Sequence, residues 1–140
     1  MLHRACEAGQ GPSSGHRKLP WAQTIIAEAG GQVAAAADPC HGKCSALDHQ
    51  GTGPFAGLPS PMRVGRYHSL CTPTDGLPDR FIVDAALDGM VLAIRDDEAA
   101  QLGLQFHPES ILTPRGSRLV AAMLDWANAR QRHLGAALAA

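Results

Sequence analysis

Leu102-Gly-Leu-Gln-Phe-His-Pro-Glu-Ser-Ile-Leu112 is the stretch on which the reading of this chain turns. An apolar run closes on Phe106, and His107 and Glu109 then stand on either side of Pro108. Short, apolar and ended by a proline, Leu102–Phe106 reads as a buried strand with both polar residues at its carboxyl end. Open α/β sheets place ligands in that position, beyond the carboxyl ends of their strands. An imidazole whose tautomer is fixed by a carboxylate serves as a general base. The plainer alternative is a loop histidine beside a surface glutamate, and the pair alone does not separate the two.

Working outward, Phe81–Leu87 and Val91–Ile94 read as strands joined by the hairpin signal Asp88-Gly89, and Met62–Arg66 as another. Beyond the Thr113-Pro-Arg-Gly116 break, Leu119, Val120, Met123, Leu124, Trp126 and Ala127 recur at helical spacing. That pattern predicts an amphipathic helix from Ser117 to His133, with the Ala-rich residues 134–140 expected to fray. Gln23–Ala29 suits a short helix stopped by Gly30-Gly31. Val33–Ala37 is weakly specified, and residues 48–61 are rich in Gly and Pro and read as loop. Residues 1–22 show neither periodicity and are expected to form a disordered leader. Strands mixed with helices argue for an α/β domain over residues 23–133.

A length of 140 residues with 45 % hydrophobic content suits one small domain. The net charge of −1 gives no footprint for nucleic acid or an anionic membrane surface. No apolar run approaches the roughly 18 residues of a membrane span, and the amino terminus has no apolar signal core. Four irregularly spaced cysteines, Cys6, Cys40, Cys44 and Cys71, are few for a disulfide scaffold, so a reducing cytoplasm is expected.

Gln105-Phe-His-Pro-Glu-Ser110 resembles the segment of class I glutamine amidotransferases that carries their catalytic His and Glu. His41-Gly-Lys-Cys-Ser45, Gly53-Pro-Phe-Ala-Gly-Leu-Pro59 and Arg66-Tyr-His-Ser-Leu70 resemble further family segments, in the family's order. Together they are similar to the glutaminase subunit of anthranilate synthase and of aminodeoxychorismate synthase, over about residues 23–132. The resemblance implies the C-terminal portion of a three-layer, flavodoxin-like α/β domain. It implies hydrolysis of glutamine through a cysteine thioester, with ammonia passed to a chorismate-using synthase subunit (component I) in tryptophan or folate biosynthesis. It implies no cofactor. By the same carry-over, His107 shuttles the proton, Glu109 orients the imidazole, and Gln23, Ser69 and Leu70 hold glutamine.

The nucleophile is missing from this pattern. Gln23 matches the last residue of the family's Gly-Val-Cys-Leu-Gly-His-Gln, which puts Leu19 where the cysteine belongs and Pro20 after it. Leucine has no nucleophilic atom, and proline has no N–H to donate to an oxyanion. The family's earlier half, with its Gly-Pro-Gly segment, is missing too. The expectation is therefore a chain that is catalytically inactive as written. The alternative is a non-catalytic remnant that binds the synthase subunit, or a non-functional gene fragment. One account of the abrupt change at Gln23 is a frame shift. Leu19-Pro-Trp-Ala-Gln23 can be encoded as CTG-CCT-TGG-GCA-CAG, one of the spellings codon degeneracy allows, and read one base later those letters begin Cys-Leu-Gly-His.

Three other features compete for a role. Cys71 follows the Ser69-Leu70 pair and is a substitute nucleophile only if an elbow presents it. Cys40-His-Gly-Lys-Cys44 has the spacing of half a zinc site but no second pair in sequence. Cys44 itself, Tyr67 and Trp126 are expected to pack, and Asp96-Asp97-Glu98 to form a solvated acidic loop.

Overall fold

The computed structural model describes residues 21–140. The leader expected over 1–22, including Leu19, Pro20 and Cys6, thus lies outside the described residues apart from Trp21 and Ala22. These two open helix α1 (Trp21–Glu28). The helix buries Ala22, Gln23 and Ile26, one stripe at helical spacing. It stops in a Schellman cap: Gly31 N donates to Ile26 O at 2.8 Å and Gly30 N to Ala27 O at 3.0 Å. Gly30 takes φ 84°, the left-handed conformation that glycine adopts without strain.

Two antiparallel sheets follow. Strands β1 (Ala34–Leu47) and β2 (Met62–Cys71) pair from Ala34↔Cys71 to Leu47↔Met62, with irregularities between Ala35 and Cys40 and between His41 and Lys43. The weakly specified residues after Val33 are thus the start of a long, bulged strand. Its order comes from pairing with β2 rather than from a pattern of its own. Strands β3 (Ile82–Leu87), β4 (Met90–Asp96) and β5 (Gln101–Leu104) form a meander in that order. The hairpin expected at Asp88-Gly89 is present, with φ 51° and 74° as a two-residue type I′ turn requires.

Strand β4 is buried along its length because both faces of its sheet are covered. On one side Val91 and Ile94 pack with Ile26 and Phe81. On the other, Leu92 and Ala93 pack with Phe55, Met62, Val64, Phe106 and Leu119. Helix, sheet and a second helical layer make this a three-layer α/β fold. The second helix, α2, spans Gly116–Ala139. It runs past the His133 boundary expected from sequence, because the Ala-rich tail has the highest intrinsic helix propensity.

The acidic triplet is solvated only in part: Glu98 is exposed, whereas Asp96 and Asp97 are paired. Asp96 is 4 % exposed; its Oδ2 accepts from Arg80 Nε at 2.7 Å, and its Oδ1 caps the Glu98 and Ala99 N–H groups. These bonds, that from the Ala99 N–H foremost, hold its carboxyl below the usual range against the opposing effect of burial. Asp97 pairs with Arg95 at 3.1 Å and with Arg130 of α2 at 3.4 Å. Charge count alone could not reveal Arg80 and Arg130 arriving from distant points of the chain.

Arg95 also ties the loop after β1 to the sheet. Its Nη1 pairs with the fully buried Asp84 and donates to Thr52 Oγ1 at 3.2 Å. Gly53 lies so close that a Cβ there would stand 2.7 Å from that nitrogen. Burial pushes the Asp84 carboxyl up, opposed by the Arg95 guanidinium and the Thr52 hydroxyl. Removing one partner of such a pair strands a buried charge, whereas replacing both does not. Arg95→Met is expected to destabilise the fold by about 3–5 kcal/mol. The double variant Arg95→Met/Asp84→Leu should recover most of that loss in urea unfolding.

Candidate active site

The strand-to-loop transition after β5 is fixed by backbone hydrogen bonds. Gln105 N still donates to Leu92 O at 2.8 Å, continuing the ladder with β4. Two residues later the chain changes sheets: His107 N donates to Gly65 O of β2 at 3.1 Å. Thr113 closes the junction. Its hydroxyl donates to His107 O at 2.7 Å and accepts from Gly65 N at 2.9 Å. The chain then descends by successive turns, Ser110 N to His107 O (3.2 Å), Thr113 N to Ser110 O (2.9 Å) and Gly116 N to Thr113 O (2.9 Å), into α2.

Two glycines make this approach feasible. A Cβ on Gly65 would come within 2.8 Å of Leu112 Cβ and 3.0 Å of Ser110 Oγ, and one on Gly116 would overlap the Pro108 carbonyl. Sequence reading missed Gly65, Thr113 and Gly116. The only local signal was the Thr-Pro-Arg-Gly break, which marks a turn without saying what the turn supports.

On this frame His107 Nδ1 and Glu109 Oε1 lie 2.6 Å apart. The carboxylate is expected to hold the proton on Nδ1 and leave Nε2 for chemistry. Burial would raise the Glu109 pKa, but the hydrogen bond and charge of His107, with Glu109's own N–H, prevail and lower it. Tyr67, expected to be packed, is 42 % exposed and stands edge-on to the imidazole with ring centroids 5.3 Å apart. Its hydroxyl lies 3.4 Å from Ser110 Oγ. The pairing of β2 with the His107 loop brings it there, so its role is set by register rather than by hydrophobicity. A cleft of about 410 Å³ opens beside the pair, lined by Leu102, Leu104, Gln105, Phe106 and Met123.

The other expected site residues arrive on different elements. Gln23 is on α1, which packs on β5 through the close approach of Ala22 to Gly103; it is 1 % exposed, and its Oε1 has no hydrogen-bond partner. Ser69 and Leu70 are half-buried near the end of β2. Between them and the Gly65 junction sits His68, 3 % exposed, whose ring shares a hydrogen bond of 3.0 Å between Nδ1 and Leu70 O. Burial lowers the His68 pKa; the Leu70 carbonyl opposes this, and the charges of Arg66 and His107 reinforce it. Cys40 is a buried free thiol, whereas Cys44, expected to pack, is exposed, with Sγ 3.5 Å from Leu112 O. Among the described residues no three His, Cys, Asp or Glu side chains converge to hold a metal ion. No helix among them is long and apolar enough to cross a membrane.

A His–Glu pair at the end of a sheet strand, on a three-layer α/β frame, defines the class. The model of the class I glutamine amidotransferases matches residues 22–126, and the chain belongs to that family. It is 42 % identical to anthranilate synthase component 2 of Haemophilus influenzae over 104 residues, which are 74 % of this chain and 53 % of that protein. The same-named protein of Buchnera aphidicola is 37 % identical over 110 residues, 79 % of this chain and 55 % of that one. Aminodeoxychorismate synthase of Streptomyces griseus is 44 % identical over 110 residues, which are 77 % of this chain and 15 % of that protein. The chain thus spans about half the length of its component 2 relatives. A Thermoplasma acidophilum structure named for one component of GMP synthase shares the fold, with a TM-score of 0.72 at 24 % identity, covering 81 % of this chain and 57 % of that one.

Two measurements check this geometry. Gly116→Ala should destabilise the chain by about 3 kcal/mol or more, by forcing the Pro108 peptide away. Gly135→Ala, on the same helix where a Cβ meets nothing within 4 Å, should stabilise it by up to about 1 kcal/mol. Denaturant midpoints of opposite sign are the expected result. Because the folded pKa of His68 is lowered, the unfolded chain takes up its proton first as pH falls below about 6.5. Stability should therefore drop below that pH, by up to about 1.4 kcal/mol per pH unit for one proton, and His68→Gln should flatten the slope.

Proposed function

We propose that this chain is the C-terminal portion of a glutaminase subunit of the anthranilate or aminodeoxychorismate synthase type. His107 is its proton-transfer residue, Glu109 the residue that orients it, and Gln23, Ser69 and Leu70 contribute to glutamine binding. The observation that carries this reading is the 2.6 Å His107–Glu109 pair beside the 410 Å³ cleft. In such a site a cysteine thiolate adds to the side-chain carbonyl carbon of glutamine. His107 Nε2 then gives a proton to the departing nitrogen, which leaves as ammonia, and takes one from the water that hydrolyses the thioester. The ammonia goes to a chorismate-using partner subunit. The resemblance to component 2 proteins supports that partner, as does the Streptomyces relative, in which the matching segment is a small part of one longer synthase.

Leu19, at the position of the family's cysteine, supports the further reading that the chain is inactive by itself. Purified chain should hydrolyse glutamine no faster than buffer, with or without a chorismate-using synthase subunit. The roles of His107 and Glu109 are tested by fusing the amino-terminal half of the Haemophilus protein, cysteine included, at Gln23. The fusion should hydrolyse glutamine, and His107→Ala should cut kcat by about 10²–10⁴-fold. Glu109→Gln should cut it by less. A fusion unaffected by His107→Ala refutes the assignment.

A further inference from the structure

The Tyr67 side chain is held at three points, and the first is made by a glycine. His41 pairs with Tyr67 and Lys43 with Arg66, so Gly42 is one residue too many on β1 and forms a β-bulge. It takes φ 69°, the left-handed conformation found in one common type of bulge. Its bare backbone is a seat for the aromatic ring: a Cβ on Gly42 would stand 3.3 Å from Tyr67 Cε1 and 3.9 Å from its hydroxyl oxygen. The second hold is at that hydroxyl, 3.4 Å from Ser110 Oγ, which in turn accepts the Leu112 N–H at 3.1 Å. The third is the His107 imidazole, whose plane lies at 88° to the tyrosine ring. With centroids 5.3 Å apart, this is an arrangement that aromatic pairs prefer.

The His107–Glu109 pair needs such a neighbour. Its two side chains are 42 % and 69 % exposed, and a pair so open to water is held only weakly by its own attraction. Rotation of a histidine ring about its second side-chain torsion is also broad when nothing packs against it. The proton stays on Nδ1 only while Nδ1 keeps facing its acceptor. A carboxylate on an exposed, jointed side chain does not fix the plane of the ring, whereas an aromatic ring seated against β1 does.

We infer that Tyr67 is a positioning residue for His107: seated on Gly42, its ring fixes the imidazole plane and so keeps Nδ1 on Glu109. The aromatic ring makes the restraint, and the hydroxyl contact with Ser110 is secondary to it. The inference rests on the proton-transfer role proposed for His107. It also gives His41-Gly-Lys43 a task, since its glycine acts on the imidazole through Tyr67.

The test uses the full 140-residue chain carrying isotope-labelled histidine. Nitrogen NMR reads the His107 ring at alkaline pH, once its shifts no longer move with pH, and His107→Gln assigns the signals. The parent chain should carry the proton mainly on Nδ1. Tyr67→Leu keeps apolar bulk without an aromatic ring, and should lower the ratio of Nδ1–H to Nε2–H by about three- to tenfold. Tyr67→Phe keeps the ring and should leave the ratio within about twofold of the parent's. Both variants should show a cooperative thermal transition. An unchanged ratio in Tyr67→Leu overturns the inference, because bulk alone then suffices. A fall in Tyr67→Phe as large as that in Tyr67→Leu overturns it too, since the hydroxyl is then the restraint. So does a parent chain with the proton mainly on Nε2, or a Tyr67→Leu chain with no cooperative transition, in which Tyr67 serves the fold instead. Because the ring is read on the chain itself, a fusion that fails to hydrolyse glutamine counts against the proposed function alone.

Discussion

The His107 peptide is one of the points where the two sheets of this molecule become one structure, and the one that carries the His107–Glu109 loop. Its N–H is given to Gly65 O of β2, and its carbonyl is taken by the Thr113 hydroxyl, which also holds Gly65 N. Each of these groups is a strong hydrogen-bonding partner that burial makes costly to leave unpaired. The junction therefore forms completely or not at all. From it follow the direction in which Pro108 leaves the strand, the turns that lead to α2, and the setting of Leu119 against Phe55 and Phe106 in the core. The His107–Glu109 loop and the core-closing helix share one anchor.

That anchor explains what sequence could and could not reveal. His107 and Glu109 were legible because their types and spacing sit inside a motif, and the motif carried the class and the three layers with it. The hairpin at Asp88-Gly89 and the stripe on α2 were legible because each is specified by local periodicity or turn chemistry. Gly65, Thr113 and Gly116 were not, because their meaning is a close approach: of Gly65 and Thr113 across 48 residues, and of Gly116 to the Pro108 peptide within one set of turns. Tyr67 was misplaced for the same reason: the register of β2 against the His107 loop turns it toward the imidazole. The pairing of Asp96 and Asp97 was hidden similarly, since Arg80 and Arg130 reach them only after folding.

Both faces of the β3–β5 sheet are closed, one by α1 and one by the loop and helix layer, while among the described residues one of its edges is not. Faces are closed by apolar side chains, whose burial is non-directional and tolerates approximate fit. An edge is closed only by backbone groups in register, so no neighbouring side chain substitutes for a missing strand.

The geometry of the His107–Glu109 pair is thus independent of a nucleophile. Its backbone is held by Gly65 and Thr113, its imidazole by Glu109, and its flank by Tyr67; none of these contacts involves a thiol. A pair built in this way stays in order whatever residue stands opposite it. Activity and architecture are consequently separable here. A well-formed pair is evidence for ancestry, while under the proposed function turnover would also need a nucleophile carried by a different segment.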